Sequence, residues 1–548
     1  MSHSFVEKIV TIVVLATLFL SGCGPQPTAP VSETAAPTTV VEVAAPTATP
    51  VEPTAATGAG PQRGGTLTFG VYRPIPNLAY YQAYDASNNL TAVAIWDTVL
   101  RFNEKGEIVP GLAESWEVKD GNTILLHLRQ GVKFHDGTTM EADDVIASLE
   151  FARNPDAKSP MAWMLDPIET LEAADAMTVR IKTGAVVDVL NALATPVGGV
   201  SSKEAIAKYG IGLGENPIGA GPFKLESWSG GSQIVLTRFD DYWEEGKPYL
   251  DKIVFKIIQE EFTRLSSLLS GDLDIVYNLS FSNVEQLEGM KEFNTNIFGT
   301  YIVYYLALNM QKEPFSDVRV RQALNYAIDR AAITKAVTRG YASPAITDIA
   351  PDMAGSLQGI REPYPYDPQK AKDLLAEAGY ADGFSMKMLV GTNSPDAETA
   401  VVLQEYYRAI GVDVELISEE SSTLWNNLQA GNFEDAAMSF WYPDFPDAAG
   451  TLVPFCYSSN TPPDGCCNFS YYANPEVDTL LDQAAAEIDI NRRSELFQEV
   501  NKLVYDDAPR VWLYHVKEAM PSAVKVQGLK FGPMFFFQHF LQDVWIAK

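Results

Sequence analysis

Few residues in this chain stand at spacings that carry out covalent chemistry. His135-Asp136-Gly137 is the one place where a histidine adjoins an acid. A carboxylate-oriented imidazole is half of a nucleophile-activating system, but Asp-Gly is turn chemistry, and the triplet reads as a turn. No G-x-S-x-G elbow, H-E-x-x-H helix or G-x-x-x-x-G-K-[ST] phosphate loop occurs. The glycines of Gly210-Ile211-Gly212-Leu213-Gly214 lack dinucleotide spacing and follow no expected strand. With 70 Asp and Glu, carboxylate pairs suited to glycoside hydrolysis arise by chance and select nothing. Cys456, Cys466 and Cys467 lie close together. Outside the cytoplasm such thiols oxidise, so a loop clip joining Cys456 to Cys466 or Cys467 is expected, with one odd thiol left. A metal there would need a fourth ligand, and none of the five histidines is near. Neither a cofactor nor a metal is called for.

Composition narrows the partners. The 548 residues suggest about three folded units. Lys and Arg number 40 against 70 acids, a net charge of −30. Such a chain is a poor partner for nucleic acid, and no basic face invites anionic lipid. Hydrophobic content of 46% is globular and supports a core without a disulfide scaffold. Residues 1–23 read as a secretion signal. Lys8 precedes an apolar run from Ile9 to Leu20, too short to span a bilayer. The run ends Leu20-Ser21-Gly22-Cys23, a pattern that resembles the bacterial lipobox, in which Cys23 becomes the acylated N-terminus. Residues 24–63 are rich in Pro, Thr and Ala; Gly24 to Gln62 holds no aromatic or basic residue and is expected to stay an unfolded tether. Membrane contact would then be through the lipid alone.

Helical and extended patterns alternate from Arg63. Leu67, Phe69 and Val71 alternate as a strand face, as do Ile124, Leu126 and Leu128, and Ile253, Phe255 and Ile257. Val320, Ala323, Leu324, Ala327 and Ile328 form a helical stripe starting near Ser316-Asp317. Val477, Leu480, Leu481, Ala484 and Ile488 form another, and Leu496, Val500, Leu503 and Val504 a third. One unit occurs twice: a short helix over Phe262 to Ser270 stopped by Gly271 and followed by an apolar run, and another over Leu424 to Ala430 stopped by Gly431. Two related α/β lobes would produce such an echo.

Several segments in order are similar to a known family. They are Leu112-Ala-Glu-Ser-Trp116, Gly131-Val-Lys-Phe134-His-Asp136-Gly137, Ala142-Asp-Asp144-Val145, Gly219-Ala-Gly221-Pro222-Phe223 and Asp241-Tyr242-Trp243. Val318-Arg-Val320-Arg321-Gln-Ala-Leu324 and Leu375-Ala-Glu-Ala-Gly379-Tyr380 continue the series. Together they resemble family 5 extracellular solute-binding proteins, the peptide, nickel and opine receptors of ABC importers. The resemblance implies an α/β, two-lobed periplasmic-binding-protein-like fold with hinge strands and an extra family-specific domain. Carried over, lobe I is 64–84, 211–308 and 521–548, the extra domain 85–210 and lobe II 309–520. Tyr301 to Asn309 would be one crossing strand. Ligand would lie between lobes that close over it.

The resemblance also nominates a site. In peptide-binding members a Trp-x-x-Asp lines the cleft, its Asp pairing with the peptide ammonium; the match here is Trp441 and Asp444, with Tyr442 between them. A buried ammonium needs an opposite charge and apolar side chains need aromatic walls. Trp425 is a further cleft candidate, or a core residue. Pro74-Ile75-Pro76-Asn77-Leu78 resembles the lobe I loop that faces ligand, which nominates Asn77. Dipeptide-binding members hold the peptide carboxylate with an Arg after a lobe II strand, but Met388 to Ser394 has no basic residue. That departure speaks against a strict dipeptide receptor and leaves a longer peptide or an oligosaccharide. The expected partners are such a small solute and ABC permease subunits. The protein is expected to be a monomer, not an enzyme, lipid-anchored outside the cytoplasm. A surface receptor without transport is the alternative role.

Overall fold

The computed structural model describes residues 60–83, 85–357, 364–392 and 395–548. The signal segment, Cys23 and the tether up to residue 59 lie outside the described residues. The described residues from 60 onward form one compact unit of mixed α and β structure.

A seven-stranded sheet runs in the order Phe293–Asn294, Ser522–Ala523, Ile275–Val276, Thr66–Val71, Lys252–Ile257, Gln233–Arg238 and Phe223–Ser229. Thr66–Val71 lies parallel to Lys252–Ile257 with Phe69 opposite Phe255, and the two rings stack at 5.4 Å. The alternation of Leu67, Phe69 and Val71 is therefore a buried face, each side chain sealed from solvent. A six-stranded sheet runs Ala342–Pro344, Arg510–Ala519, Ile297–Leu308, Ala436–Trp441, Phe384–Gly391 and Val412–Glu419. Its last three strands are mutually parallel and separated by helices Asp396–Ala409 and Ser421–Gln429, the right setting for a site at the strands' C-terminal ends. A third, four-stranded antiparallel sheet joins Ala113–Lys119, Thr123–Leu128, Thr178–Thr183 and Ile168–Asp175. Helix Ala142–Arg153 accompanies it, with Asp144 accepting from the Glu141 amide in a capping box.

Two chain passages join the large sheets. Phe293–Asn294 belongs to the seven-stranded sheet and Ile297–Leu308 to the six-stranded one; Arg510–Ala519 and Ser522–Ala523 make the return. The passages pair at Ile297 and Ala519. Asn296, at φ +46°, donates its amide to Met520 O at 2.9 Å and Ser522 Oγ at 2.8 Å. Asn tolerates this left-handed conformation better than most residues, and its side chain ties one passage to the other.

Some expectations change. The crossing comes earlier than Tyr301, and the strand is buried on both faces through most of its length because other strands and helices cover it on each side. The helix ends before the stripe does: Val320, Ala323 and Leu324 lie in Val318–Tyr326, Ala327 caps it, and Ile328 lies in the link to a second helix, Arg330–Val337, capped by Asp329, which accepts from Ala332 N. Gly271 ends helix Glu261–Ser270 at φ +83°, and Gly431 follows helix Ser421–Gln429 at φ +70°. The cysteine clip is corrected. Cys466 bonds to its neighbour Cys467 rather than to Cys456, which is a free buried thiol. Cys456 closes helix Ala449–Cys456 with its sulfur 3.9 Å from the Arg510 guanidinium, turned into the core away from the loop carrying the other two.

Candidate functional site

The C-terminal ends of parallel strands in both large sheets meet beside the hinge. Tyr72 follows Thr66–Val71 and Tyr277 follows Ile275–Val276. From the other sheet, Tyr442 and Asp444 follow Ala436–Trp441, and Asp396 opens the helix after Phe384–Gly391. The hinge strands contribute Tyr304 and Glu518. An unbroken series of ring contacts joins these sources. Tyr72 meets Tyr277 at 5.8 Å, and Tyr277 meets Phe536 at 6.0 Å. Phe536 meets Tyr442 at 4.7 Å, and Tyr442 meets Phe440 at 5.6 Å. Phe440 stacks on Tyr304 at 5.3 Å, and Tyr304 on Tyr514 at 5.0 Å. Aromatic faces of this kind hold aliphatic chains, peptide planes and cations alike.

Acids punctuate the band. Glu518 accepts a hydrogen bond from the Tyr442 hydroxyl at 3.3 Å. Asp444 and Asp396 have no hydrogen-bonding or charged partner for their carboxylates among the described residues. Burial pushes Glu518 up to about 7, with the Tyr442 bond opposing, and pushes Asp396 to about 7 and Asp444 to about 8. Asp444 and Glu518 keep partial solvent contact while protein surrounds them on most sides. That combination is what a group in a narrow cleft has: a small molecule reaches it, but bulk water does not solvate its charge. The band offers charge and apolar surface to a bound molecule and no activated nucleophile. Among the described residues, no group of three or more His, Cys, Asp or Glu is placed to hold a metal ion, and no helix is long and apolar enough to cross a membrane.

The sequence profile of the bacterial extracellular solute-binding proteins, family 5, matches residues 107–463. The chain belongs to this family. Glutathione-binding protein GsiB of Salmonella paratyphi A is 30% identical over 450 residues, spanning 81% of this chain and 87% of that protein. The solved structure of the periplasmic binding protein DppA from Helicobacter pylori, in complex with the peptide STSA, is similar with a TM-score of 0.77 at 28% identity, over 89% of this chain and 99% of that one. The oligopeptide-binding protein AppA from Bacillus subtilis, in complex with a nonapeptide, has a TM-score of 0.75 at 26% identity, over 89% of this chain and all of that one. The two-lobed α/β fold is thus the family's, and the protein is an extracytoplasmic solute-binding component of an ABC importer rather than an enzyme.

Within this family 5 protein the nominated residues have different surroundings. Tyr442 is part of the aromatic band, and Asp444 stands two residues beyond it. The Trp441 indole is 8% exposed; it donates to Gly450 O at 2.8 Å and packs on Phe455, so it shapes the loop that carries Asp444. Trp425 packs edge-on against Phe469 at 5.7 Å. Asn77 accepts from Ala79 N at 2.7 Å, and its side chain lies where a Gly214 Cβ would be, so it fixes a turn against the 210–214 segment. His135 is half-buried, with Nε2 at 3.0 Å from Gly221 O, in the turn that Gly137 closes. Asp396, Glu518, Tyr72, Tyr277 and Tyr304 were not nominated. Asp396 lies just past the segment singled out for lacking a basic residue, and Glu518 is the one acid in a strand that also carries Arg510, His515 and Lys517.

Proposed function

We propose that the protein captures short peptides in the hinge cleft and delivers them to its ABC permease. The peptide's α-ammonium pairs with Asp444, its side chains lie along the band from Tyr72 to Tyr514, and the lobes close over it about Asn296 and Met520. The observation that carries this reading is the Asp444 carboxylate, which follows the aromatic band by two residues, is held in poor solvent and has no partner among the described residues, since a charge without a counter-ion there is a cost that a ligand cation removes. Relatives that bind glutathione and peptides support the class. Segments 64–84, 211–308 and 521–548 act as lobe I and 309–520 as lobe II, with 85–210 as the added domain. Cys23 carries the lipid, residues 24–63 serve as the tether, and the protein works as a monomer. Calorimetry with a pool of tri- to pentapeptides, the same pool N-acetylated, and an oligosaccharide pool tests the reading. Binding of the free-amine pool alone is expected. Binding of the oligosaccharides, or equal binding of acetylated peptides, would refute the ammonium assignment.

A further inference from the structure

The charges facing the cleft are unbalanced. Asp396 is 8% exposed, yet among the described residues its carboxylate has neither a hydrogen-bond donor nor a cation beside it. It lies over the end of strand Phe384–Gly391, where a Gly391 Cβ would meet Oδ2 at 2.8 Å, and its charge acts on the Tyr304 and Tyr514 hydroxyls. Glu518 accepts from the Tyr442 hydroxyl and its charge acts on Tyr304, Tyr277 and Tyr72. Both acids therefore bear on one stretch of the aromatic band at Tyr304. Asp444 is a third acid, with no hydrogen-bonding or charged partner among the described residues.

Two basic groups stand over the Tyr72 end of the band, and Lys517, next to Glu518 in the strand, is exposed. Arg264 stands over Tyr72, but its guanidinium is 2% exposed and donates to the carbonyls of Ile258, Gln259 and Asn278. Arg73 also stands over Tyr72 and is exposed, and Asp85 acts on the same tyrosine with the opposite sign. On the other lobe, residues 388–491 carry one basic residue, Arg408, against 17 Asp and Glu, and Arg408 pairs with Glu405 on an exposed helix face. Among the described residues no Lys, Arg or His pairs with Asp396, Glu518 or Asp444.

We propose that the cleft selects solutes carrying two cationic groups, one for Asp444 and a second, on an aliphatic spacer, for the Tyr304 stretch on which Asp396 and Glu518 both bear. The shared chemistry is an ammonium or guanidinium at each end of an apolar linker. A peptide with Lys or Arg near its N-terminus has it, and so does a free polyamine. The assignment of the first cation to Asp444 rests on the peptide reading above; the second does not. Tyrosine and phenylalanine faces add cation–π attraction along the spacer, and the carboxylates orient the cation once it is out of water.

Calorimetry on the full-length mature protein at pH 7.5 is the test, with Ala-Lys-Ala, its neutral isostere Ala-norleucine-Ala, Ala-Glu-Ala and spermidine as probes. A charge-assisted contact in place of an apolar one predicts Lys over norleucine by about tenfold to a hundredfold, with Ala-Glu-Ala weakest. Binding of Lys peptides should also release protons, read as a heat that changes with buffer ionisation enthalpy, because a cation drives the remaining protonated acid to ionise. Asp396→Asn with Glu518→Gln should bring the two peptides to parity. Equal binding of Lys and norleucine peptides by the wild type, which needs no variant to fold, overturns the second cation site while leaving the peptide reading standing. Spermidine binding with no peptide binding overturns the peptide reading and leaves the dication site standing. Binding of none of the four overturns both.

Discussion

Asp444→Asn preserves shape and removes charge, which makes it the sharpest single perturbation of the site. In a ligand complex the wild-type carboxylate faces an ammonium in poor solvent, and breaking such a pair from one side costs about 3–5 kcal/mol, or more than two decades in Kd. No other described side chain is positioned to rescue the ammonium at that point. Without ligand the sign reverses. Burial raises Asp444 to about 8, well above its unfolded value. Its contribution to stability is full below about pH 4 and is lost as pH rises through about 8. The variant has no such loss, so wild type minus variant should fall by one to a few kcal/mol between pH 5 and pH 9. The difference is the proper readout, because other groups titrate in the window. Asp396 and Glu518 shift in the same direction, while His135, His515 and His539, each held down to about 4 by desolvation, oppose them. Urea titrations of both proteins at four pH values, with calorimetry against a free-amine and an N-acetylated peptide, measure both halves. A variant that binds the free amine as well as wild type, or a stability difference that is flat with pH, would refute the argument that Asp444 is an unpaired acid awaiting a cation.

Peptide affinity should rise as pH goes from 6 to 8.5, by at most about tenfold per unit per acid that ionises, since the ammonium pairs with the charged form; calorimetry across that range checks it. Asn296→Ala should lose about 1–3 kcal/mol of stability and widen the ligand-free particle in solution scattering, whereas Asn296→Gly keeps the left-handed backbone and should lose only the two hydrogen bonds. Alkylation of the unfolded, unreduced protein should label Cys456 and neither Cys466 nor Cys467, and no label should enter Cys456 before unfolding; peptide mass mapping reads both. Cys23→Ser should release the folded body from membranes or leave the precursor uncleaved, and a processed, membrane-bound variant would exclude lipid anchoring at that residue.

The parts of this fold that were legible in the sequence are those governed by local rules. Leu67, Phe69 and Val71 alternate because one face of their strand is sealed, and Gly271 and Gly431 adopt the backbone that helix ends favour. The paired helix–glycine–strand units anticipate two sheets for the same reason. The candidate site could be nominated from the sequence only where a motif carried it. Trp441 and Asp444 belong to one short pattern, while Asp396 and Glu518 are separated by more than a hundred residues and both act on Tyr304 on a third segment. No period or spacing encodes such a meeting. The cysteines failed for a related reason. Proximity in sequence says nothing of direction, and Cys456 ends a helix whose last turn points its sulfur at Arg510.

The location of Glu518 bears on how binding and closure are linked. It sits two residues before Met520, which accepts from Asn296 at the crossing, and it receives the hydroxyl of Tyr442, which follows a strand of the six-stranded sheet. Tyr442 also packs on Phe536, which packs on Tyr277 beside the seven-stranded sheet. A ligand shifts a conformational equilibrium only by its differential affinity for the two states. A cation at Glu518 has such a differential. In an open cleft water solvates the carboxylate and the cation gains little, whereas enclosed by Tyr442, Tyr304 and Tyr277 the same pair is worth more and the unpaired acid costs more. Neutral solutes would fill the aromatic band without lifting that cost. Closure measured by solution scattering should therefore be more complete with Ala-Lys-Ala than with Ala-norleucine-Ala at equal saturation, and Glu518→Gln should erase the difference by making the closed cleft equally comfortable with either. Equal compaction by both peptides in the wild type would show that the hinge responds to occupancy alone and not to charge.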